Sequence, residues 1–322
     1  MKEDKPLVSF IITYYNLPVE MLQACIDSIL SLSLRPFERE IIVVDDSSDM
    51  SPINELMKYE DDIIYVRQKN GGLSMARNKG IDIATGKFIQ FVDADDQLIQ
   101  APYEQCLDIV RYQQCVDMVM FDFSFEPNVE VVPETVIPVP GTTYLLNYNI
   151  HGTAWGYLFR KKVLGELRFT PGIYHEDEEF TPQLLLRADN VYPTHAKAYL
   201  YNKREGSITT SQDPDVTLKR MDDREGVIFR LHELCDKLPH HDRLALKRRI
   251  AQLTMDYIYH IIVETRSADT LEQRVQRLHE RGLFPLPEQN YTKKYKWFRR
   301  ITNSRWGRTL LRYSLPYMKR EK

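Results

Sequence analysis

With 322 residues the chain is longer than the ~100–200 residues of one ordinary domain, which predicts a large domain with an appendage. Its 43% hydrophobic and 28% charged residues lie in the globular range and exclude long disorder. A net charge of −3 excludes a wholly basic nucleic-acid binder.

In chain order, the apolar, β-branched run LVSFIIT (7–13) predicts a strand covered on both faces. Pro18 then opens a helix whose apolar residues Met21, Leu22, Cys25, Ile26, Ile29 and Leu30 fall at helical spacing. The alternation continues with strand EIIVVDD (40–46), a helical stretch near 52–59, strand IIYVRQ (63–68), helix LSMARNKGIDIA (73–84) and strand KFIQFVDADD (87–96). Strand and helix alternating at this interval mark parallel βαβ units. A helix near 102–114 and a strand near 117–123 follow, then the proline-rich, β-like stretch 126–141, read as an exposed excursion. Beyond Ser211 long amphipathic runs (246–265 and 271–282) predict a helical C-terminal part.

The four cysteines, Cys25, Cys106, Cys115 and Cys235, are widely spaced in apolar contexts, as reduced core residues are, and point to a cytoplasmic compartment. The first ten residues include acids and only a short apolar run, so no signal peptide is expected, and no stretch approaches ~20 apolar residues, so no spanning helix is expected. Charge is unevenly distributed. Residues 291–322 hold eleven Lys/Arg and one Glu, a net of +10, which leaves −13 for the remainder. These cations interleave with Trp297, Phe298, Trp306, Leu310, Leu311 and Tyr313, a composition suited to an anionic bilayer surface as well as to a solvated basic face.

Open parallel sheets bind ligands beyond the carboxyl ends of their strands. Here those ends carry Thr13-Tyr14-Tyr15-Asn16, Asp45-Asp46-Ser47-Ser48, Asn70-Gly71-Gly72 and Asp93-Ala94-Asp95-Asp96. Together they suit a nucleotide diphosphate: an aromatic ring stacks on a base, a carboxylate accepts an imide proton, and a glycine turn admits phosphate. Of the successive Tyr14 and Tyr15 only one can face a given side, so the other packs. Arg77, early in the third helix, adds a fixed cation near a helix N-terminus. The three carboxylates at 93–96 repel one another unless a cation intervenes, which points to Mg2+ or Mn2+ shared with substrate phosphates. A second acidic cluster, His175-Glu176-Asp177-Glu178-Glu179, precedes an apolar run in which Pro182 is compatible only with a helix near its start. Asp177 there is placed to act as a general base, with Glu176, Glu178 and Glu179 as competitors that favour the helix dipole. Asp45 and Asp46 read equally as a helix-capping cluster.

VSFIITYYN, EIIVVDDSSD, NGGLSMARNKG, FIQFVDADD and HEDEEF stand in the order and spacing of the motifs of the family 2 glycosyltransferases, which this chain resembles over residues 6–210. The resemblance implies a GT-A-like α/β fold, a doubly wound and mostly parallel sheet flanked by helices. It makes residues 1–210 the catalytic domain and lapses beyond Ser211, where the amphipathic runs and the charge count make 211–322 a helical region with a basic amphipathic tail. It further implies inverting transfer of a hexose or N-acetylhexosamine from a UDP-sugar to a glycan or lipid-linked acceptor of a bacterial surface polysaccharide. By the same resemblance Thr13, Tyr15, Asp45 and Asp46 meet the uracil, Asp46 being the preferred imide partner. Arg77 lies near base and phosphate, Asp93 approaches the ribose, Asp95 of the DXD motif ligates Mn2+ or Mg2+, and Asp177 is the base. Trp155 and Glu176 are assigned to the sugar or acceptor pocket, Trp155 reading equally as a core aromatic, and segment 199–209 to a closure over the donor. The alternatives are a nucleotidyltransferase acting on sugar phosphates and a non-catalytic sugar-nucleotide-binding or membrane-docking module.

Overall fold

The computed structural model describes residues 5–204 and 213–318. Internal packing divides the chain into two compact units, Met1–Tyr144 with Ile150–Thr210, and Leu145–Asn149 with Ser211–Lys322. The domain boundary expected at residue 210 falls outside the described residues.

Among the described residues, eight strands form the sheet of the first unit: β1 Val8–Tyr14, β2 Arg39–Asp45, β3 Ile63–Arg67, β4 Phe88–Asp93, β5 Gln97–Leu98, β6 Met118–Ser124, β7 Tyr157–Arg160 and β8 Val191–Leu200. Their order is β3-β2-β1-β4-β7-β6-β8-β5. The β3-β2-β1-β4 half is parallel throughout, while β7 runs antiparallel to both β4 and β6, and β5 runs antiparallel to β8. The chain leaves β1 outward to β2 and β3, then returns to β4 on the other side of β1. That reversal opens a crevice at the carboxyl ends of β1 and β4.

Alternation along each strand sorts side chains between two faces. Phe10, Ile12 and Tyr14 of β1 join Leu22, Cys25, Ile26 and Ile29 of helix α1 (Val19–Leu30) and Tyr103, Cys106 and Leu107 of helix α3 (Gln100–Tyr112) in one core. The opposite face of β1 meets helix α2 (Leu73–Ile83), where a Cβ on Gly80 would stand 2.2 Å from Ile11 Cγ2. Helix α2 therefore lies close against the sheet only because that position lacks a side chain.

Four sequence expectations need correction in whole or in part. Residues 52–59 form turns and a 3-10 turn at Met57–Tyr59, not an α-helix. So short a segment is a poor helix on its own, and only Pro52, Leu56 and Tyr59 are buried. Residues 126–140 are mostly exposed, as expected of an excursion, but they form no strand beyond one bridge of Val139 to Val191. Pro182 sits well inside helix α6 (Glu176–Leu185) rather than near its start. A proline there costs about 3 kcal/mol in helix terms. Packing offsets it, since Phe180, Leu184 and Leu185 are buried and Phe180 stacks on Phe169 at 3.9 Å. Cys115 is exposed, whereas Cys25, Cys106 and Cys235 are buried.

Two short helices, α4 (Gly141–Asn147) and α5 (Lys161–Leu164), complete the first half of the chain. The second unit is helical, as expected: α7 Pro214–Cys235, α8 His240–Thr265, α9 Ala268–Glu280, α10 Lys293–Thr302 and α11 Arg305–Met318. Asp213 caps α7 through Asp215 N and Val216 N, and Ser267 caps α9 through Thr270 N. Buried Glu225 ties α7 to α8 and α9 by accepting from Tyr257 and pairing with Arg274 and Arg277. Among the described residues no helix is long and apolar enough to cross a membrane.

Gly80→Ala gains about 1 kcal/mol of helix propensity but forces a methyl into Ile11 within a packed core, which costs about 1–3 kcal/mol. We expect the clash to dominate, lowering the thermal unfolding midpoint by several degrees. A midpoint equal to or above that of the parent chain would contradict the close α2–β1 contact.

Candidate functional site

Register sets the site. Tyr14, Asp45 and Arg67 are neighbours across β1, β2 and β3, and Thr13 and Asp93 are neighbours across β1 and β4. The first set points to the α1 side, where Tyr14 joins the core, so the second points to the α2 side. As the alternation requires, Tyr14 packs, with its hydroxyl on Leu17 O, while Tyr15 is 49% exposed and Thr13 half-buried. Asn16 adopts φ +48 and clasps the neighbouring loop through Ser48 Oγ and Asp49.

Asp45 and Asp46 organise the loops around them. Buried Asp45 accepts from Ser48 N through Oδ1, and from Tyr65 Oη and Arg67 Nη1 through Oδ2. Asp46 accepts from Gln68 Nε2 and Gly71 N through Oδ1, and from Gly72 N through Oδ2 at 2.7 Å. The amides of the glycine turn are thus directed at a carboxylate of the protein itself. Gly72 has φ +81, a conformation that favours glycine, and it starts α2.

From that start, α2 turns Ser74, Ala76, Arg77, Gly80 and Ile81 inward. Arg77 is 3% exposed. Its Nη2 donates to Asp93 Oδ1 at 3.0 Å and its Nη1 to Glu176 Oε1 at 2.7 Å, while the guanidinium lies 5.4 Å from the Phe169 ring centre. Burial alone would lower its pKa, but Asp93 and Glu176 outweigh that and raise it. One buried cation therefore joins both acidic clusters of the sequence, at the end of β4 and at the start of α6.

Helix α6 begins after His175, which holds the left-handed conformation at φ 65. Its first turn carries Glu176, Asp177, Glu178 and Glu179, carboxylates at the favourable end of the helix dipole. Asp177 is half-buried and bonds Glu178 N through Oδ1. Burial, with Glu176 and Glu178 beside it, raises its carboxyl well above the ordinary range, against the pull of Arg77. A carboxylate of raised pKa is a stronger proton acceptor.

The cluster at 93–96 is settled by different partners. Asp93 pairs with Arg77, and Asp95 Oδ2 accepts from Arg204 Nε at 2.5 Å. Asp96 is buried, accepts from Asn202 N through Oδ1, and is pushed up to about 8 by burial and by Asp93 and Asp95. Tyr199 Oη accepts from Asp93 N, and Asn202 Nδ2 donates to Asp95 O. The end of β4 thus holds residues 199–204, and the rest of the expected closing segment, 205–209, lies outside the described residues.

Trp155 is 8% exposed and stacks on Tyr199 at 4.3 Å and 9°, with Phe123 edge-on at 5.5 Å. Trp155 thus packs in the core, and Tyr199, on which it stacks, bonds Asp93 N. A cavity of about 630 Å³ beside the 126–134 segment, lined by Gln105, Glu126, Glu134, His195 and Lys197, includes none of the expected site residues.

Among the described residues, no three His, Cys, Asp or Glu side chains gather as a metal-ligating group. Asp95 provides one partly exposed carboxylate. This donor set fits a Mg2+ or Mn2+ ion that takes one or two carboxylates and completes its shell with water and diphosphate oxygens. It does not fit a resident ion held by protein alone.

Sequence reading missed Arg67, Tyr65 and Gln68, and it named Asn202 and Arg204 only within the closing segment 199–209, without their partners. Arg67 was legible as the last residue of a strand whose neighbours end in acids. Arg204 was not, because its partner lies 109 residues away.

Residues 9–167 match the family model described as glycosyl transferase family 2. A glycosyltransferase of Bacillus subtilis strain 168, EpsJ, is 32% identical over 222 residues, which are 63% of this chain and 63% of that protein. The match thus spans less than two thirds of the relative. Among solved structures, Staphylococcus aureus TarS 1–349 in complex with UDP-GlcNAc superposes with a TM-score of 0.66 at 18% identity, covering 98% of this chain and 91% of that one. The mannosyltransferase PcManGT of Pyrobaculum calidifontis, in complex with GDP-Man and Mn2+, gives 0.57 at 14% identity, covering 96% and 88%. These likenesses bear out the expected GT-A-like fold.

Asp96 predicts a pH dependence. Its carboxyl binds a proton in the folded chain up to about pH 8, but only to about pH 4 when unfolded. The folded state holds the extra proton across that window, so stability falls as pH rises through it. We expect Asp96→Asn to flatten the decline in unfolding midpoint, whereas parallel pH profiles for the two proteins would contradict the buried, protonated Asp96.

Proposed function

Because the chain belongs to glycosyl transferase family 2, we propose that it is an inverting glycosyltransferase. On this reading it moves a hexose or N-acetylhexosamine from a UDP-sugar to a glycan or lipid-linked acceptor in the synthesis of a bacterial surface polysaccharide. The observation that carries the reading is the Arg77 bridge, which joins Asp93 on the donor side to Glu176, the neighbour of Asp177.

The exposed ring of Tyr15 stacks on the uracil, and Thr13 lines the same strand end. Carboxylates offer about four acceptor sites, and three on Asp46 are used, which leaves one for the imide N–H. Asp45 holds the loop beneath the base, and Asp93 receives the ribose. Arg77 supplies positive charge near the phosphates and fixes Glu176 at the rim of the sugar pocket, while Trp155 shapes that pocket from behind Tyr199. A divalent cation at Asp95 would offset the charge that grows on the departing diphosphate. The mannosyltransferase complex with Mn2+ supports that assignment.

Asp177 removes the proton of the acceptor hydroxyl. The freed oxygen forms a bond to the anomeric carbon as the bond from that carbon to the diphosphate oxygen breaks, and UDP leaves with the electron pair. Attack opposite the leaving group inverts the centre. The acceptor class rests on the family alone.

Two measurements test this reading. UDP with Mn2+ should raise the melting temperature more than GDP with Mn2+ does, and the reverse would overturn the uracil assignment. Asp177→Asn should cut sugar transfer at least about 100-fold while UDP affinity stays within about twofold. Transfer at the parent rate would remove Asp177 from the reaction.

A further inference from the structure

Helices α10 and α11 each bury one face and expose another. Tyr295, Phe298, Leu311 and Leu315 are buried, so the pair is anchored within the second unit without help from its outer side chains. On the outer side of α11, Trp306, Leu310 and Tyr313 are 88%, 62% and 63% exposed, at helical spacings that place them on one stripe. Trp297 on α10 is 49% exposed. An apolar stripe of this kind on a helix whose opposite face is already packed marks a surface made to be covered.

Charge identifies what covers it. Residues 293–318 contain eight Lys/Arg and no Asp or Glu. Two of the eight are structural: Arg308 is paired with Glu272, and buried Arg299 lies beside Glu288. Lys293, Lys294, Arg300 and Arg305 are exposed, and Lys296 and Arg312 are half-buried, with Arg312 lying 4.8 Å from the Tyr313 ring centre. A second copy of the same face would bring like charges together. Nucleic acid would leave Leu310 without a partner. A bilayer with anionic headgroups satisfies both features, since Trp and Tyr rings settle at the headgroup level while Lys and Arg meet lipid phosphates.

We propose that the exposed face of α10 and α11, centred on Trp306, Leu310 and Tyr313 and flanked by Arg300 and Arg305, docks on an anionic bilayer surface. The docking lays the helices along the surface and does not cross it. It stands independently of the donor reading, whose residues all belong to the first unit.

The test is flotation of the full chain with phosphatidylcholine vesicles, with and without added phosphatidylglycerol. Binding should be at least about tenfold tighter to the anionic vesicles and should weaken with salt. The triple variant Trp306→Ala, Leu310→Ala, Tyr313→Ala should lose at least about tenfold of it, and Arg300→Glu with Arg305→Glu should lose the anionic preference. Unfolding midpoint and UDP binding, unchanged in both variants, separate lost docking from lost folding and from failure of the donor site. Four results would overturn the proposal: no vesicle binding, equal binding to both vesicle types, retention in the triple variant, or a dimer in light scattering that the triple variant abolishes.

Discussion

The buried guanidinium of Arg77 is the constraint on which the site depends. A charge this far from water is tolerated only when its partners are close and well placed, because removal of one leaves an uncompensated ion in the interior. Arg77 has two such partners from elements far apart in sequence, Asp93 at the end of β4 and Glu176 at the start of α6. Its own position is fixed from both ends of α2. Asp46 holds Gly71 and Gly72 where the helix begins, and Gly80, one turn beyond Arg77, lets the helix lie against Ile11. The site thus follows from helix-to-sheet packing as much as from the acids that give it its chemistry.

The same arrangement changes the electrostatic picture of the 93–96 cluster. The sequence shows three carboxylates within four residues, a concentration of charge that calls for a cation. The structure meets it with two arginines and a proton: Arg77 on Asp93, Arg204 on Asp95, and a carboxyl pushed up to about 8 on Asp96. On the proposed reading, a divalent ion would meet an Asp95 already paired with Arg204. Because Arg204 follows the end of β8, the carboxylate of Asp95 ties the end of that strand to the end of β4. Asn202, held by Asp95 and Asp96, strengthens the link.

Much of the fold was legible because its signals are local. The run 7–13, the helix 73–84 and the polar residues after each of the first four strands follow from period and composition, and strand alternation alone required that one of Tyr14 and Tyr15 pack. What escaped was set by tertiary contact. Phe180 stacking on Phe169 lets Pro182 stay within a helix, against local preference. Trp155 gives its face to Tyr199, a partner 44 residues away that no spacing rule supplies. The partners of Arg77 were legible as two acidic clusters, but not as neighbours of one side chain. The glycine turn read equally as a plain turn and as an approach for phosphate, and its amides serve Asp46, since any buried carboxylate must first satisfy itself.

The central claim is that Arg77 couples the two acidic clusters, and a double-mutant cycle of Arg77→Met, Glu176→Gln and both together tests it most directly. The quantity measured is the unfolding free energy at each corner of the cycle. Either single variant breaks the Arg77–Glu176 pair, a loss that the double variant does not suffer twice, so the double should be less destabilised than the sum of the singles by about 2 kcal/mol. Additivity to within about 0.5 kcal/mol would show that Arg77 and Glu176 act apart and would contradict the account.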